Sequence, residues 1–180
     1  MVETKNKILR SAITIWGKDI TSSLDDIAHN IGISRRTLHR HYSGKGDLLN
    51  SVFNYIIEEY LVHIKTINSN SSNNIDKLKA FLFFDIKSGK NYMFFCQLRK
   101  TKHKEIEEDN TSFKELHTLY LGLFKQLKEE EKIDQSLTLI WIEIFYLTVV
   151  ESAHKAIESG LDVENCIKMA WSSFWKGIKK

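Results

Sequence analysis

The chain contains no proline and only eight glycines among its 180 residues. These two residue types form most of the turns that connect the strands of sheets, so their scarcity favours helices joined by short loops. Apolar residues make up 42% of the chain, which is enough for a substantial core. We therefore expect an all-α protein with about nine helices.

Other global features limit where the protein works. The N-terminus is charged and lacks the apolar segment of a signal peptide. The longest apolar run, residues 137–150, contains Glu143 and is too short to span a bilayer. Cys96 and Cys166 lie far apart in sequence, as expected for two isolated small apolar residues rather than a disulfide framework or a metal site. The sequence predicts a cytoplasmic protein without a membrane partner or a cofactor.

Three of the five arginines, Arg35, Arg36 and Arg40, lie within six residues, although 21 of the 26 basic residues are lysines. The forked guanidinium group suits two-point contacts with guanine or phosphate, whereas lysine suffices for a solvated surface. The whole net charge of +3 resides in residues 1–49, because acids and bases balance in residues 50–180. This distribution indicates a first part that binds nucleic acid and a second part with another role.

Helix signals in the first fifty residues place this cluster on a short helix. Apolar residues at helical spacing predict a first helix that ends near Gly17, and Ser23 with Asp26 predicts a capping box for a second. Gly32 supplies a turn, and Ser34 caps a third helix. Two short helices joined by such a turn form a helix-turn-helix, whose second helix enters the major groove.

The two faces of the third helix differ in chemistry. At 100° per residue, Leu38 and Tyr42 lie on one side, and Arg36 and Arg40 lie on the other. A merely solvated face would alternate charge signs, but residues 34–46 contain four cations and no acid. We interpret the outward face as a surface for DNA.

The run LDDIAHNIGISRRTLHRHYSGKGDLL resembles the DNA-binding segment of TetR-family (tetracycline-repressor-like) transcriptional regulators. The resemblance covers about residues 5–55, and the matching positions are Ile27, Ala28, Gly32, Thr37, Leu38, His41, Tyr42, Lys45, Leu48 and Leu49. His39 stands where the family usually has tyrosine, and Ile31 replaces the usual alanine.

The resemblance implies roles for individual residues. Arg35 and Arg36 would read bases, and Thr37, His41 and Lys45 would hold phosphates. The full set of predicted DNA-binding residues is Ser34, Arg35, Arg36, Thr37, His39, Arg40, His41 and Lys45.

Lys45 also suggests a phosphate site by itself. A cation at a helix N-terminus opposes the helix dipole unless an anion binds there, and Gly44 and Gly46 leave the backbone accessible. The alternative for this segment is an ordinary flexible turn.

The remaining sequence predicts a helical bundle. One helix runs from Leu48 to a polar loop at residues 68–74, and further helices cover 75–88, 90–101, 111–129, 135–159 and 162–178. Charged breaks fall at 105–110 and 129–132, and Gly160 ends a helix. We therefore divide the chain into a helix-turn-helix domain, residues 1–49, and a ligand-sensing and dimerisation domain, residues 50–180.

The last two predicted helices are apolar on more than one side. Such helices are buried on two sides, either within one chain or against a second subunit. The family resemblance favours a homodimer through a four-helix bundle. The predicted interface residues are Ile144, Leu147, Trp171, Phe174 and Trp175.

Aromatic residues are frequent in the middle helices. Most must be ordinary core, but the family resemblance implies a ligand cavity there for a small apolar or amphipathic effector. The predicted wall residues are Cys96, Gln97, Tyr120, Trp141 and Phe145.

An enzyme is not expected. Glu151 and His154 have the Glu-x-x-His spacing of carboxylate-bridged metal sites, but such a site needs a second copy of the motif, and the alternative is a simple surface pair. The predicted function is a ligand-responsive transcriptional regulator, a repressor, that binds a palindromic operator as a dimer. A helical protein-interaction adaptor with a non-specific DNA-binding segment is the alternative.

Overall fold

The computed structural model describes residues 2–70, 73–99, 101 and 110–180. These ranges contain nine α-helices, and the β-type pairing recorded in them is an isolated bridge between Ile133 and Lys179. The helices are α1 (Val2–Trp16), α2 (Leu24–Asn30), α3 (Arg35–His41), α4 (Lys45–Asn70), α5 (Asn74–Lys87), α6 (Gly89–Arg99), α7 (Thr111–Glu129), α8 (Leu139–Glu158) and α9 (Val163–Ile178). The prediction of an all-α protein is confirmed.

The short helices α2 and α3 begin at the predicted caps. The Ser23 N–H donates to the Asp26 carboxylate at 2.7 Å, and the Asp26 N–H donates to Ser23 Oγ at 3.2 Å, which completes the capping box. Ser34 Oγ accepts from the Thr37 N–H at 3.1 Å. Gly32, between the two helices, has a φ of +68°, a left-handed conformation that glycine adopts without steric cost. The local sequence therefore positions α3 relative to α2.

Helix α4 begins at Lys45, the residue that the sequence places at the helix N-terminus, and is longer than predicted at its C-terminal end. It continues to Asn70, through the first three residues of the polar tract 68–74. Asn73 then caps α5. The loop prediction is wrong for these three residues, because polar side chains can extend a helix whose apolar face remains buried.

Helix α8 begins at Leu139 rather than at residue 135. Thr138 is its N-cap, and Thr138 Oγ1 accepts from the Trp141 N–H at 3.3 Å. Just upstream, the Asp134 carboxylate accepts from the Ser136 N–H at 2.8 Å. Such side-chain hydrogen bonds compete with helix formation and delay the start of the helix.

Two predicted breaks have different outcomes. Helix α7 ends at Glu129, so the break predicted at 129–132 is confirmed. The break predicted at 105–110 lies outside the described residues, apart from Asn110.

The chain forms two compact units. The N-terminal unit comprises Met1–Leu61 and Lys90–Lys114, and the C-terminal unit comprises Val62–Gly89 and Glu115–Lys180, so α4 contributes residues to both. In the N-terminal unit, the Phe53 ring lies 5.5 Å from Phe95 and 5.6 Å from Phe113 between ring centroids. These aromatic contacts and the fully buried Trp16 form the core beneath the helix-turn-helix.

The C-terminal unit contains a close contact between α8 and α9. A Cβ atom at Gly177 would lie 2.6 Å from Cε1 of Phe145, so a larger residue there would have to displace the Phe145 ring. Phe174 is fully buried, with its ring centroid 5.3 Å from Tyr146 and 5.6 Å from Phe145. Glycine at position 177 thus leaves room for the Phe145 ring beside this aromatic core.

A buried polar cluster joins α5, α7 and α8 in the same unit. The Asp85 carboxylate accepts hydrogen bonds from Tyr120 Oη at 3.0 Å and from Tyr146 Oη at 2.5 Å. His154, also buried, hydrogen-bonds to the backbone of Asp85. Burial raises the pKa of Asp85 to about 7, although the two tyrosine hydrogen bonds lower it. Burial likewise lowers the pKa of His154.

We expect Asp85 to make stability depend on pH. Its pKa is higher in the folded state than in the unfolded state, so its contribution to stability is largest at low pH and is lost as pH rises to about 7. Asp85→Asn removes this titration. Between pH 5 and pH 8, the free energy of unfolding of the wild type should therefore fall by on the order of 3 kcal/mol relative to the variant.

Urea unfolding of both proteins at the two pH values measures this difference. Both proteins retain His154, so its contribution to the pH dependence cancels in the difference between them. Parallel pH profiles for the two proteins would contradict the assignment.

Candidate nucleic-acid interface and the surfaces of the C-terminal unit

The helix-turn-helix exposes a basic face and buries an apolar one. Leu38 is fully buried and Tyr42 is 2% exposed, whereas Arg36 and Arg40 are exposed. No ion pair links either arginine to another residue of the described chain. The orientation predicted for α3 is confirmed, and both guanidinium groups are available to a ligand.

Arg35 is also exposed, but it is already engaged. Its Nη1 lies 3.2 Å from the Asp25 carboxylate on α2, and its Nε donates to His39 Nε2 at 3.4 Å. This three-residue arrangement is absent from the sequence prediction, because Asp25 and Arg35 are ten positions apart and only the helix-turn-helix geometry brings them together.

The predicted phosphate ligands near the start and end of α3 have different surroundings. Ser34 Oγ and Thr37 Oγ1 lie 2.9 Å apart in a hydrogen bond at the exposed N-terminus. His41 is half-buried, and its Nε2 atom is buried without a hydrogen bond to any described residue. A buried ring nitrogen without a partner is unfavourable unless another group supplies one.

Lys45 points into the protein more than the sequence suggests. Its Nζ donates to the carbonyl of Ile20 at 2.7 Å and to that of Ser22 at 2.9 Å, and it lies 5.6 Å from the Trp16 ring centroid. Burial lowers the pKa of Lys45. The ammonium group therefore fixes the loop between α1 and α2, and one of its three protons remains for a phosphate.

The five predicted ligand-wall residues are divided between the two units. Cys96 is half-buried in the N-terminal unit, where the Gln97 amide donates to the carbonyl of Lys18 at 3.1 Å. The others belong to the C-terminal unit: Tyr120 in the Asp85 cluster, Phe145 against Gly177, and Trp141, which is 56% exposed.

The predicted interface residues lie in three different surroundings. Ile144 and Leu147 are 54% and 37% exposed on α8. Phe174 is fully buried inside its own unit. Trp171 and Trp175 stack at 5.5 Å, and Lys79 of α5 lies 6.0 Å from the Trp171 ring centroid, so this pair occupies the side of α9 toward α5.

A groove that the sequence analysis missed lies between α8 and α9. It has a volume of about 270 Å³. Most of its lining residues are small: Val149, Ser152, Ala153, Ala156, Cys166, Met169, Ala170 and Ser173. Trp171 lies two positions from both Met169 and Ser173, and is thus about 160° away around the helix. The structure therefore does not place the tryptophans beside this groove.

The Glu-x-x-His pair does not form a shared site. The Glu151 carboxylate pairs with Lys155 at 2.8 Å, whereas His154 is buried in the polar cluster. The interpretation as a surface pair is wrong for His154. Within the described ranges, no group of three or more histidine, cysteine or acidic side chains could hold a metal ion. No helix in those ranges is long and apolar enough to cross a membrane.

Comparisons with known proteins agree with the helix-turn-helix. The regulator IcaR of Staphylococcus aureus strain Newman, named as the negative transcriptional regulator of the biofilm operon icaADBC, is 33% identical over 162 residues, covering 79% of this chain and 82% of IcaR. YttP of Bacillus subtilis strain 168, a probable HTH-type transcriptional regulator, is 29% identical over 146 residues, covering 77% of this chain and 70% of YttP. No protein-family model matches the chain.

Solved structures share the fold. The ketosteroid transcriptional regulator KstR2 of Mycobacterium tuberculosis superposes with a TM-score of 0.78 at 14% identity, over 98% of this chain and 95% of KstR2. The TetR-like regulator LfrR of Mycobacterium smegmatis, in complex with proflavine, gives a TM-score of 0.78 at 16% identity, over 100% of this chain and 99% of LfrR.

The all-α fold and its capped helix-turn-helix define a helix-turn-helix transcriptional regulator. The chain belongs to the TetR family, whose members bind DNA and act as dimers.

We expect Lys45 to stabilise the N-terminal unit. In Lys45→Met, the carbonyls of Ile20 and Ser22 lose a charged donor, so the free energy of unfolding should fall by about 1–3 kcal/mol. Lys18→Met, at an exposed lysine of the same unit, is the matched control and should change it by less than about 0.5 kcal/mol. Urea denaturation measures both. Similar small changes in the two variants would show that the hydrogen bonds of Lys45 do not contribute to stability.

Proposed function

We propose that this protein is a dimeric, ligand-responsive repressor that binds a palindromic operator in the cytoplasm. Residues 1–49 act as the DNA-binding domain, and residues 50–180 act as the sensing and dimerisation domain. The observation that carries this proposal is the exposed basic face of α3, anchored by a buried apolar face. The name of IcaR as a negative regulator supports repression rather than activation.

Base reading is assigned to the arginines of α3. Arg36 and Arg40 lie on the exposed face, and a guanidinium can donate two parallel hydrogen bonds to O6 and N7 of guanine. Arg35 and His39 lie on the same helix and complete the surface that enters the major groove.

Phosphate contacts are assigned to residues at the ends of α3 and the start of α4. Ser34 and Thr37 present hydroxyl groups at the N-terminus of α3, where backbone N–H groups favour an anion. The third proton of the Lys45 ammonium supplies a further donor, whereas a phosphate contact from His41 requires a rotation that exposes its buried Nε2. These contacts hold the helix in register without reading sequence.

The exposed face of α8 is suited to pairing with a second copy. Its first half carries the bulky exposed residues Ile140, Trp141, Ile144 and Leu147. The small groove residues Ser152, Ala153 and Ala156 lie about 80–180° away from Ile144 around the helix, so they belong to a different side. In a two-fold dimer the same patch meets itself in reverse order. Antiparallel pairing about an axis near Ile144 would bring the bulky exposed residues of the two copies together.

A small apolar or amphipathic effector is assigned to the body of the C-terminal unit. The support is the aromatic lining around Tyr120 and Phe145, together with the capacity of the fold to hold a small molecule, since LfrR has been crystallised with proflavine. If the effector lowers the affinity of the protein for the operator, the operator must lower the affinity of the protein for the effector by the same factor. Such factors are typically about five- to 150-fold.

Arg36→Ala tests the base-reading role. Selection of duplexes from a random pool should show relaxed preference at one base pair per half-site, and affinity for the wild-type operator should fall by about 1–3 kcal/mol. Lys79→Ala removes a cation from the C-terminal unit and serves as a control that should leave the preference unchanged. An unchanged consensus for Arg36→Ala would contradict the role, and no selection by the wild type would favour a protein-interaction adaptor.

Ile144→Glu tests the dimer. Because Ile144 is 54% exposed, the variant should remain folded, but a carboxylate buried in the interface should prevent association. Val62→Glu introduces the same charge at a site that is 67% exposed on α4 and should remain dimeric. Sedimentation at micromolar concentration measures both. A folded wild-type monomer under these conditions would rule out the interface.

A further inference from the structure

An acidic residue of α2 forms an ion pair with the basic recognition helix. Asp25, in the first turn of α2, has its carboxylate 3.2 Å from Nη1 of Arg35. The acids nearest to it along the chain and just beyond α3 are occupied elsewhere, since Asp26 closes the capping box with Ser23 and Asp47 accepts from Ser43. Among the described residues, Asp25 is therefore the carboxylate that pairs with Arg35, an arginine proposed to read bases.

The two contacts hold the Arg35 side chain but leave some of its N–H donors free for DNA. A guanidinium has five N–H donors, of which Nη1 uses one for Asp25 and Nε uses one for His39. One proton on Nη1 and two on Nη2 remain. A two-point contact with guanine needs one proton from each of these nitrogens, so Arg35 can bind guanine while it stays bound to Asp25.

The pairing also changes how Arg35 responds to phosphate. An unpaired arginine gains from any nearby phosphate, and such contacts form the sequence-independent part of DNA binding. A carboxylate at 3.2 Å neutralises much of this attraction and repels the phosphate itself. The pairing preserves the hydrogen bonds that Arg35 can donate to a guanine edge, because these bonds depend on donor geometry. It also holds the side chain in its bound orientation, which lowers the entropic cost of binding.

We propose that Asp25 is a specificity-determining positioning residue, which restricts Arg35 to base reading and reduces its contribution to non-specific binding. This inference rests on the proposed operator-binding function. Asp25 acts through Arg35, with His39 as the second support.

The experiment compares Asp25→Asn with the wild type on the selected operator and on an unrelated duplex across a range of salt concentrations. Random-pool selection with Arg35→Ala first identifies the base pair that Arg35 reads. At that pair, Asp25→Asn should lower the preference about two- to fivefold, the range expected for an exposed ion pair. On the unrelated duplex it should bind more tightly, with a salt slope steeper by about 0.9, because one more phosphate is contacted.

Three variants make the result specific. Glu58→Gln removes the same charge from an exposed site on α4 in the same unit and should leave the preference unchanged. Asp25→Glu keeps the carboxylate and should restore most of the preference. In an Arg35→Ala background, Asp25→Asn should have no further effect on base preference, because Asp25 acts through Arg35. If Asp25 instead only stabilises its helix, Asp25→Asn should lower thermal stability by the same amount with and without Arg35.

The outcomes separate this inference from the proposed function. A wild type that selects no duplex would overturn both. A selective wild type whose preference and salt slope are unchanged by Asp25→Asn would overturn the role of Asp25 alone.

Discussion

Burial of Leu38 and Tyr42 holds the recognition helix in place, and the DNA-binding surface depends on it. Helix α3 has only seven residues, and an isolated helix of that length is not stable in water. Each buried apolar side chain contributes roughly 1.5–3 kcal/mol, and the Ser34 cap adds about 1 kcal/mol. Burial of Leu38 and Tyr42 and the Ser34 cap therefore stabilise α3 even though its exposed arginines repel one another.

The four cations of residues 34–46 have three different surroundings. Arg36 and Arg40 are exposed, Arg35 is paired with Asp25, and Lys45 binds two backbone carbonyls. A count of positive charges would treat all four as equal contributors to DNA binding. In the described residues only Arg36 and Arg40 of these four lack such a partner, and we propose that this arrangement favours selectivity over general attraction to phosphate.

The C-terminal unit combines tight packing with an uncovered surface. Gly177 leaves room for the Phe145 ring, and Phe174 fills the space between α8, α9 and the neighbouring helices. A groove of small residues lies between α8 and α9, and bulky apolar residues are exposed on the first half of α8. We propose that a second copy of the chain covers this exposed apolar surface. The buried Asp85 cluster is a polar group within this core, and the raised pKa of Asp85 predicts that the stability of the unit depends on pH.

The sequence by itself determined the features that depend on neighbouring residues. The capping box of Ser23 and Asp26, the turn at Gly32 and the two faces of α3 follow from local hydrogen bonds and helical periodicity, and all are present in the structure. Only the tertiary structure decided which partners distant residues find. It turned Lys45 toward Ile20 and placed Asp25 beside Arg35, and it directed Trp171 toward α5, away from the groove. Periodicity shows that a residue is buried or exposed, but the element that it contacts depends on how the helices pack against one another.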